Sequence, residues 1–151
     1  KAKWALKEAK LRIKYMTSKN CIFCKIVSGQ NPNKIIKETL YSMAFLDAFP
    51  LAKGHTLVVP KDHHVKIQDM SDEENSDLFS LVHKVLPKID KLTGATLVAI
   101  HNGKEAGQEI PHVHVHLVPR TTGDSAGAIH SMFNAVKFSD SEIEEIYYKL
   151  K

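Results

Sequence analysis

From Ser71 to Gly94 the apolar residues Leu78, Leu81, Val82, Val85, Ile89 and Leu92 return every three or four positions. That is the period of one helix face. Ser71 and Glu74 have the spacing of a capping box, and Gly94 supplies a stop. Pro87 interrupts the pattern, which predicts a kink or break just before it. Elsewhere the pattern changes. "CIFCKIV" reads as a short helix over 21–27, ended at Gly29. "KIIKETLYSMAFLD" reads as two short strands meeting near residues 38–40, with Tyr41, Met43 and Phe45 alternating. "GHTLVVP" is a strand closed by Pro60, where a missing N–H costs little. "ATLVAI" is another. "SDSEIEEIYYKL" predicts a terminal helix capped by Ser139 or Ser141. Ala2, Ala5, Leu6, Ala9 and Ile13 make a stripe for an appended amphipathic helix. The order implies an α+β fold: an antiparallel, meander-like sheet of about five strands with a long helix and a short N-terminal one.

The stretch "HVHVHLVPR" sets His112, His114 and His116 at every second position. On a strand the three imidazoles share one face, and Val113, Val115 and Leu117 share the other. The outer two are about 13 Å apart along a strand, at about 3.3 Å per residue. One metal ion therefore holds neighbours but not readily all three. Beside a half-buried strand whose polar face merely carries histidines, the other use is catalysis, since imidazole is both a nucleophile towards phosphorus and an acid or base near neutral pH. The preceding "NGKEAGQ" brings glycines, Asn102 and Gln108. Glycine lets backbone N–H groups turn towards an anion, and amide side chains add neutral donors.

Composition narrows the setting. Hydrophobic residues make up 43% of 151 residues, which suits one domain with its own core. The net charge of +4 is concentrated at the start. Residues 1–19 hold seven Lys/Arg and one acid, and the rest of the chain nets −2. That body lacks the basic footprint of a duplex nucleic-acid binder. No apolar run has membrane-spanning length and no signal peptide is visible. One globular domain over 20–151 is expected, preceded by a basic extension over 1–19. Met16, followed by small and polar residues, would be a native start if 1–15 were a leader or an expression remnant. Cys21 and Cys24 are too close to staple a fold, which argues for a reducing compartment, cytoplasmic or nuclear.

"GQEIPHVHVHLVPR" resembles the signature of the histidine triad (HIT) superfamily, His-x-His-x-His followed by apolar residues. "CIFCKIVSGQ", "AFLD", "KGHTLVVPKDHH" and "HNGKEAGQ" resemble its other segments in order, so the likeness spans roughly residues 20–120. It is closest to the Hint-type and bacterial proteins with an N-terminal Cys-x-x-Cys. The resemblance implies a HIT fold, a homodimer, and a nucleotidyl hydrolase or transferase acting on purine nucleotide conjugates of AMP or GMP. His114 would be the nucleophile that forms a nucleotidyl-histidine. His116 would meet the phosphate or leaving group, and His55 would be a further active-site histidine. Asn102, Gly107 and Gln108 would hold the phosphate, Asp47 the ribose hydroxyls, and Phe23, Ile26, Phe45 and Leu46 the base. One departure is Glu109, where relatives often carry Ser or Thr. A carboxylate there would repel phosphate unless turned away or protonated. The rival readings are a diadenosine polyphosphate hydrolase of the same fold and a non-catalytic nucleotide binder or scaffold.

Cys-x-x-Cys at 21–24 is redox-active, metal-binding or incidental on its spacing alone. Ile22 and Phe23 between the thiols, and the absence of a βαβ pattern, disfavour a thioredoxin-like pair. The pair supplies half a tetrahedral zinc set, with "KDHH" and the histidine strand able to supply the rest. By resemblance, the ligands of a structural zinc would be Cys21, Cys24, His63 and His112, with His64 competing for the third place.

Overall fold

A computed structural model describes residues 18–151. The stripe of Ala2 to Ile13 lies outside the described residues. The described chain divides into two compact units at Thr121/Thr122.

The first unit contains α1 (Ile22–Val27), β1 (Ile35–Glu38), β2 (Ser42–Leu46), β3 (Thr56–Pro60), α2 (Asp72–Thr93), β4 (Thr96–Ala99) and β5 (Val115–Pro119). All strand pairs are antiparallel, so the α+β class, the five strands, the long helix and the short one are as expected. The sheet order is β1-β2-β3-β5-β4. Only the first three strands run as a simple meander. β4 takes the edge, and β5 returns between it and β3.

The alternation of side chains divides the interior in two. Ala44, Val58, Val115 and Leu117 point to one face and pack with Leu78, Leu81 and Val85 of α2. Met43, Phe45, Leu57 and Val59 point to the other and pack with Phe23, Cys24 and Ile26 of α1. β2 and β3 are thus covered on both faces, which is why "SMAF" and "TLVV" read as near-continuous runs. Val113 joins the α2 side. His112 and His114 contact the ring of Phe23 on the α1 side, at centroid distances of 5.7 and 5.1 Å. The histidine row therefore occupies one face, as its spacing predicts. The regular strand begins only at Val115. His112 and His114 lie on the segment leading in, where the Val113 N–H donates to the His64 carbonyl at 2.7 Å.

α2 forms the predicted capping box between Ser71 and Glu74, and Gly94 ends it in the left-handed region at φ +87°. The expected break at Pro87 does not occur, since the helix runs unbroken for 22 residues. A mid-helix proline costs about 3 kcal/mol. Val85 and Ile89, buried on either side of it, anchor the helix to the sheet and offset that cost. Leu92 also departs from expectation: it is 57% exposed rather than part of the core. Its Cδ1 lies over Gly54, 2.4 Å from where a Cβ would sit.

The second unit, considered by itself, has a short 3-10 turn at Ile129–Met132 and helix α3 (Asp140–Leu150). Ser139 caps α3 with a capping box to Glu142, as the sequence predicts.

Gly54 precedes His55 and has φ +97°, a conformation that L side chains rarely adopt. Gly54→Ala should lower the unfolding free energy by about 1–2 kcal/mol, with the flexible end of Leu92 swinging aside. Urea denaturation checks this, and a variant as stable as the parent would contradict it.

Candidate functional site

The first unit holds a cleft of about 380 Å³. Phe23 and Ile26 of α1, Phe45 at the end of β2 and Leu57 of β3 give it an apolar part. Asp47 and His55 line it from the β2–β3 connection, and His114 and His116 from β5 and its lead-in. Eight of the residues expected at the catalytic and substrate site are thus gathered here, Gly107 included.

Each imidazole is held in one tautomer by its partners. The Leu51 N–H donates to His55 Nδ1 at 3.0 Å, so the His55 proton sits on Nε2. His55 Nε2 then donates to His116 Nδ1 at 3.0 Å, which leaves the His116 proton on its own Nε2. His114 Nδ1 donates to the His112 carbonyl at 2.6 Å, leaving a lone pair on Nε2. His112 Nε2 donates to the Pro60 carbonyl at 2.9 Å, leaving a lone pair on Nδ1. Asp47 Oδ1 accepts from the Phe49 N–H at 2.9 Å. Its Oδ2 is 3.6 Å from His55 Nδ1, too long for a hydrogen bond.

Burial sets the charge state. It lowers the pKa of His114, against the opposing hydrogen bond to the His112 carbonyl. Burial, then the nearby His114, His55 and His101, pull His116 down to about 4. Burial also lowers His55, against the opposing pull of Asp47. All three rings are therefore neutral near pH 7.

A second cluster adjoins the first through His112. Cys21, Cys24, His63 and His112 bring four donor atoms within 4.8 Å of one another. Cys21 Sγ and Cys24 Sγ lie 3.4 and 3.6 Å from His112 Nδ1, and Cys24 Sγ lies 3.4 Å from His63 Nδ1. Tetrahedral zinc with Zn–S of about 2.3 Å and Zn–N of about 2.05 Å demands S···N separations of about 3.5 Å. The donor set fits a metal ion of that kind. The Pro60 carbonyl orients His112 as outer-shell acceptors orient ligand histidines. His64 turns elsewhere, with Nε2 2.9 Å from Glu74 Oε1. In the metal-free chain burial raises the Cys24 thiol to about 11.

Three residues expected at the substrate do not line the cleft. Leu46 follows Phe45 on β2, so alternation turns it away, and it is 37% exposed. Asn102 Oδ1 accepts from the Ile67 N–H, and its Nδ2 donates to Gln68 Oε1. Gln108 Oε1 accepts from the Gly103 N–H, and its Nε2 donates to the Val65 carbonyl. Both amides brace the loops beside the cleft, and each NH₂ keeps one further proton to donate. Sequence reasoning missed His101, Ile22, Phe49, Leu51 and Ile110, all of which line the cleft. His101 had a signal, since it joins the "ATLVAI" strand to the "NGKEAGQ" loop.

An imidazole with a bare Nε2 lone pair, a neighbouring donor imidazole and an apolar slot ending in a carboxylate thus share one cleft on an α+β sheet. The family follows from comparison. A family model described as HIT domain matches residues 28–123, and the chain belongs to that family. It is 45% identical over 101 residues to the adenosine 5'-monophosphoramidase of Schizosaccharomyces pombe, covering 67% of this chain and 74% of that one. A HIT-family structure from Bacillus subtilis superposes with a TM-score of 0.79 at 31% identity, over 87% of this chain and 95% of that one. A zinc-bound histidine triad protein from Mycobacterium smegmatis superposes with a TM-score of 0.63 at 36% identity, over 72% and 80%. Among the described residues no helix is long and apolar enough to cross a membrane.

Because the folded value of His116 lies below the ordinary 6.5, the unfolded chain takes up its proton first as pH falls. His116 therefore withdraws stability between about pH 6.5 and about pH 4, and contributes no change above that window. Ring ¹⁵N shifts of His116 should stay those of a neutral imidazole from pH 7 down to about 5. A midpoint near 6.5 would contradict the assignment.

Proposed function

We propose that the chain is a nucleotidyl hydrolase or transferase. It cleaves the α-phosphate bond of purine nucleotide conjugates, nucleoside phosphoramidates foremost, through a covalent nucleotidyl-histidine. The observation that carries this reading is the 2.6 Å bond from His114 Nδ1 to the His112 carbonyl. It commits the one ring proton to the backbone and leaves Nε2 of a neutral imidazole as the nucleophile. In the first step the Nε2 lone pair forms an N–P bond and the bond from phosphorus to the leaving group breaks. In the second, water adds to phosphorus, the N–P bond breaks and the nucleoside monophosphate departs. His116 Nε2–H donates to a phosphoryl oxygen, and His55 holds it in that tautomer.

The base would sit against Phe23, Ile26 and Phe45, with Leu46 left out of the slot. Asp47 would accept from the ribose hydroxyls with the lone pairs that Phe49 does not use. Asn102, Gly107 and Gln108 would shape the phosphate loop, the two amides chiefly as braces. Glu109 also lines the cleft. Its carboxylate weighs against a polyphosphate leaving group, and so against a diadenosine polyphosphate hydrolase. A non-catalytic binder has no use for an oriented nucleophile. The family likeness also supports a homodimer.

Cys21, Cys24, His63 and His112 would hold a zinc ion. Bound there, zinc supplies structural cross-linking rather than reaction chemistry, because four protein ligands close its shell. It would tie α1 to the lead-in of β5, and so fix the carbonyl that orients His114.

His114→Ala should reduce turnover of an adenosine phosphoramidate by more than about a thousandfold while AMP still binds. Acid-quenched parent protein should carry a nucleotidyl adduct by mass spectrometry. Full activity in the alanine variant would end the proposal. Metal analysis of chain purified under reducing conditions should find about one zinc per chain, absent from the Cys21→Ser/Cys24→Ser variant. Metal-free parent protein, or a Cys21–Cys24 disulfide, would contradict the ligand assignment.

A further inference from the structure

A buried carboxylate on α2 has no part in the reading above. Glu74 is only 7% exposed, and a carboxylate so enclosed is tolerated when its oxygens are bonded. Its Oε2 accepts from the Ser71 N–H at 2.8 Å, which completes the capping box. A capping box asks for no more than that one oxygen. The other, Oε1, accepts from His64 Nε2 at 2.9 Å. A carboxylate only accepts, so the His64 ring proton sits on Nε2. The neighbouring ring of His63 turns to Cys24 instead.

The main chain of His64 leads on to the catalytic histidines. Its carbonyl accepts from the Val113 N–H at 2.7 Å. Val113 stands between His112 and His114, whose ring donates to the His112 carbonyl. The pairing of β3 with β5 stops at Val58 and Val115, so residues 112–114 lie beyond the ladder. The His112 N–H turns back to the Ile110 carbonyl at 2.8 Å, within its own loop. The Val113 N–H is therefore what ties the main chain of this lead-in to a neighbouring segment. The Val113 side chain packs into the α2-side core as well.

Resting on the nucleotidyl-histidine reading, we propose that Glu74 and His64 are positioning residues for His114. Glu74 fixes the His64 ring, the fixed residue aims its carbonyl, and that carbonyl holds the Val113 N–H. Neither side chain lines the cleft or touches the reacting atoms. The lead-in is thereby gripped from two sides. His112 is held through its ring by the Pro60 carbonyl and the thiols. Val113 is held through its N–H by the segment that α2 pins. The His112 carbonyl lies between these grips, and it keeps the His114 Nε2 lone pair on its line of attack. A misplacement of about 1 Å costs about a hundredfold in rate, so loosening of about half that size costs about tenfold.

The test compares His64→Phe, His64→Gln and Ser71→Ala with the parent protein on an adenosine phosphoramidate. Phenylalanine keeps the ring volume and loses the N–H, whereas the glutamine amide restores a donor to Glu74. Ser71→Ala weakens the helix cap and leaves the His64 link in place. His64→Phe should lower kcat about tenfold with KM within about twofold, and His64→Gln should recover most of that loss. Ser71→Ala should lower the urea midpoint while kcat stays within about twofold. The His114 Nδ1 proton resonance should move upfield in His64→Phe, as its bond to the His112 carbonyl lengthens, and return in His64→Gln. Metal content should equal the parent's in all three. His64→Leu repeats the comparison if the phenylalanine variant does not fold. An unchanged kcat in His64→Phe, an equal kcat loss in Ser71→Ala, or metal lost along with activity would overturn the positioning role and leave His114 as nucleophile. A parent protein without turnover would overturn the nucleotidyl-histidine reading; the His114 proton then decides the positioning role, and an unmoved resonance overturns it.

Discussion

The site depends on backbone carbonyls that decide where imidazole protons sit. His112 is bound at both ends of its ring, by the Pro60 carbonyl on one nitrogen and the two thiols on the other. Its own carbonyl then holds His114. One residue therefore couples the Cys/His cluster to the proposed nucleophile through covalent geometry, with no intervening side chain. Period-two spacing makes this workable. Val113 and Val115 enter the α2-side core, and their burial fixes the register of the histidines opposite.

Burial gives the second physical theme. Three imidazoles are crowded beside an apolar wall, and desolvation keeps all of them neutral. A neutral ring is what a nucleophile requires, because a protonated nitrogen has no lone pair. The same burial makes His116 a donor of hydrogen bonds rather than of protons.

Much of this was legible in the chain because it is set by near neighbours. The Ser71–Glu74 and Ser139–Glu142 capping boxes need only three residues of spacing, and both form. The shared face of the histidines follows from alternation alone. Features set by distant partners were not legible. Pro87 passes through an unbroken helix because Val85 and Ile89 are anchored by strands far away in sequence. The place of β4 beyond β5 is a choice of strand neighbour, and no local pattern encodes it. Asn102 and Gln108 look like phosphate donors from composition, yet their partners are the backbones of Ile67, Gly103 and Val65 and the Gln68 amide. His63 and His64 are adjacent, and only the folded chain sends one to the cysteines and the other to Glu74.

The most direct test is the tautomer of His114 at neutral pH, read from long-range ¹H–¹⁵N couplings in uniformly ¹⁵N-labelled, zinc-reconstituted protein. The account predicts a neutral ring protonated on Nδ1, with an Nε2 shift characteristic of a bare lone pair. A ring protonated on Nε2 would contradict it, because the nitrogen assigned to attack phosphorus would then carry the proton.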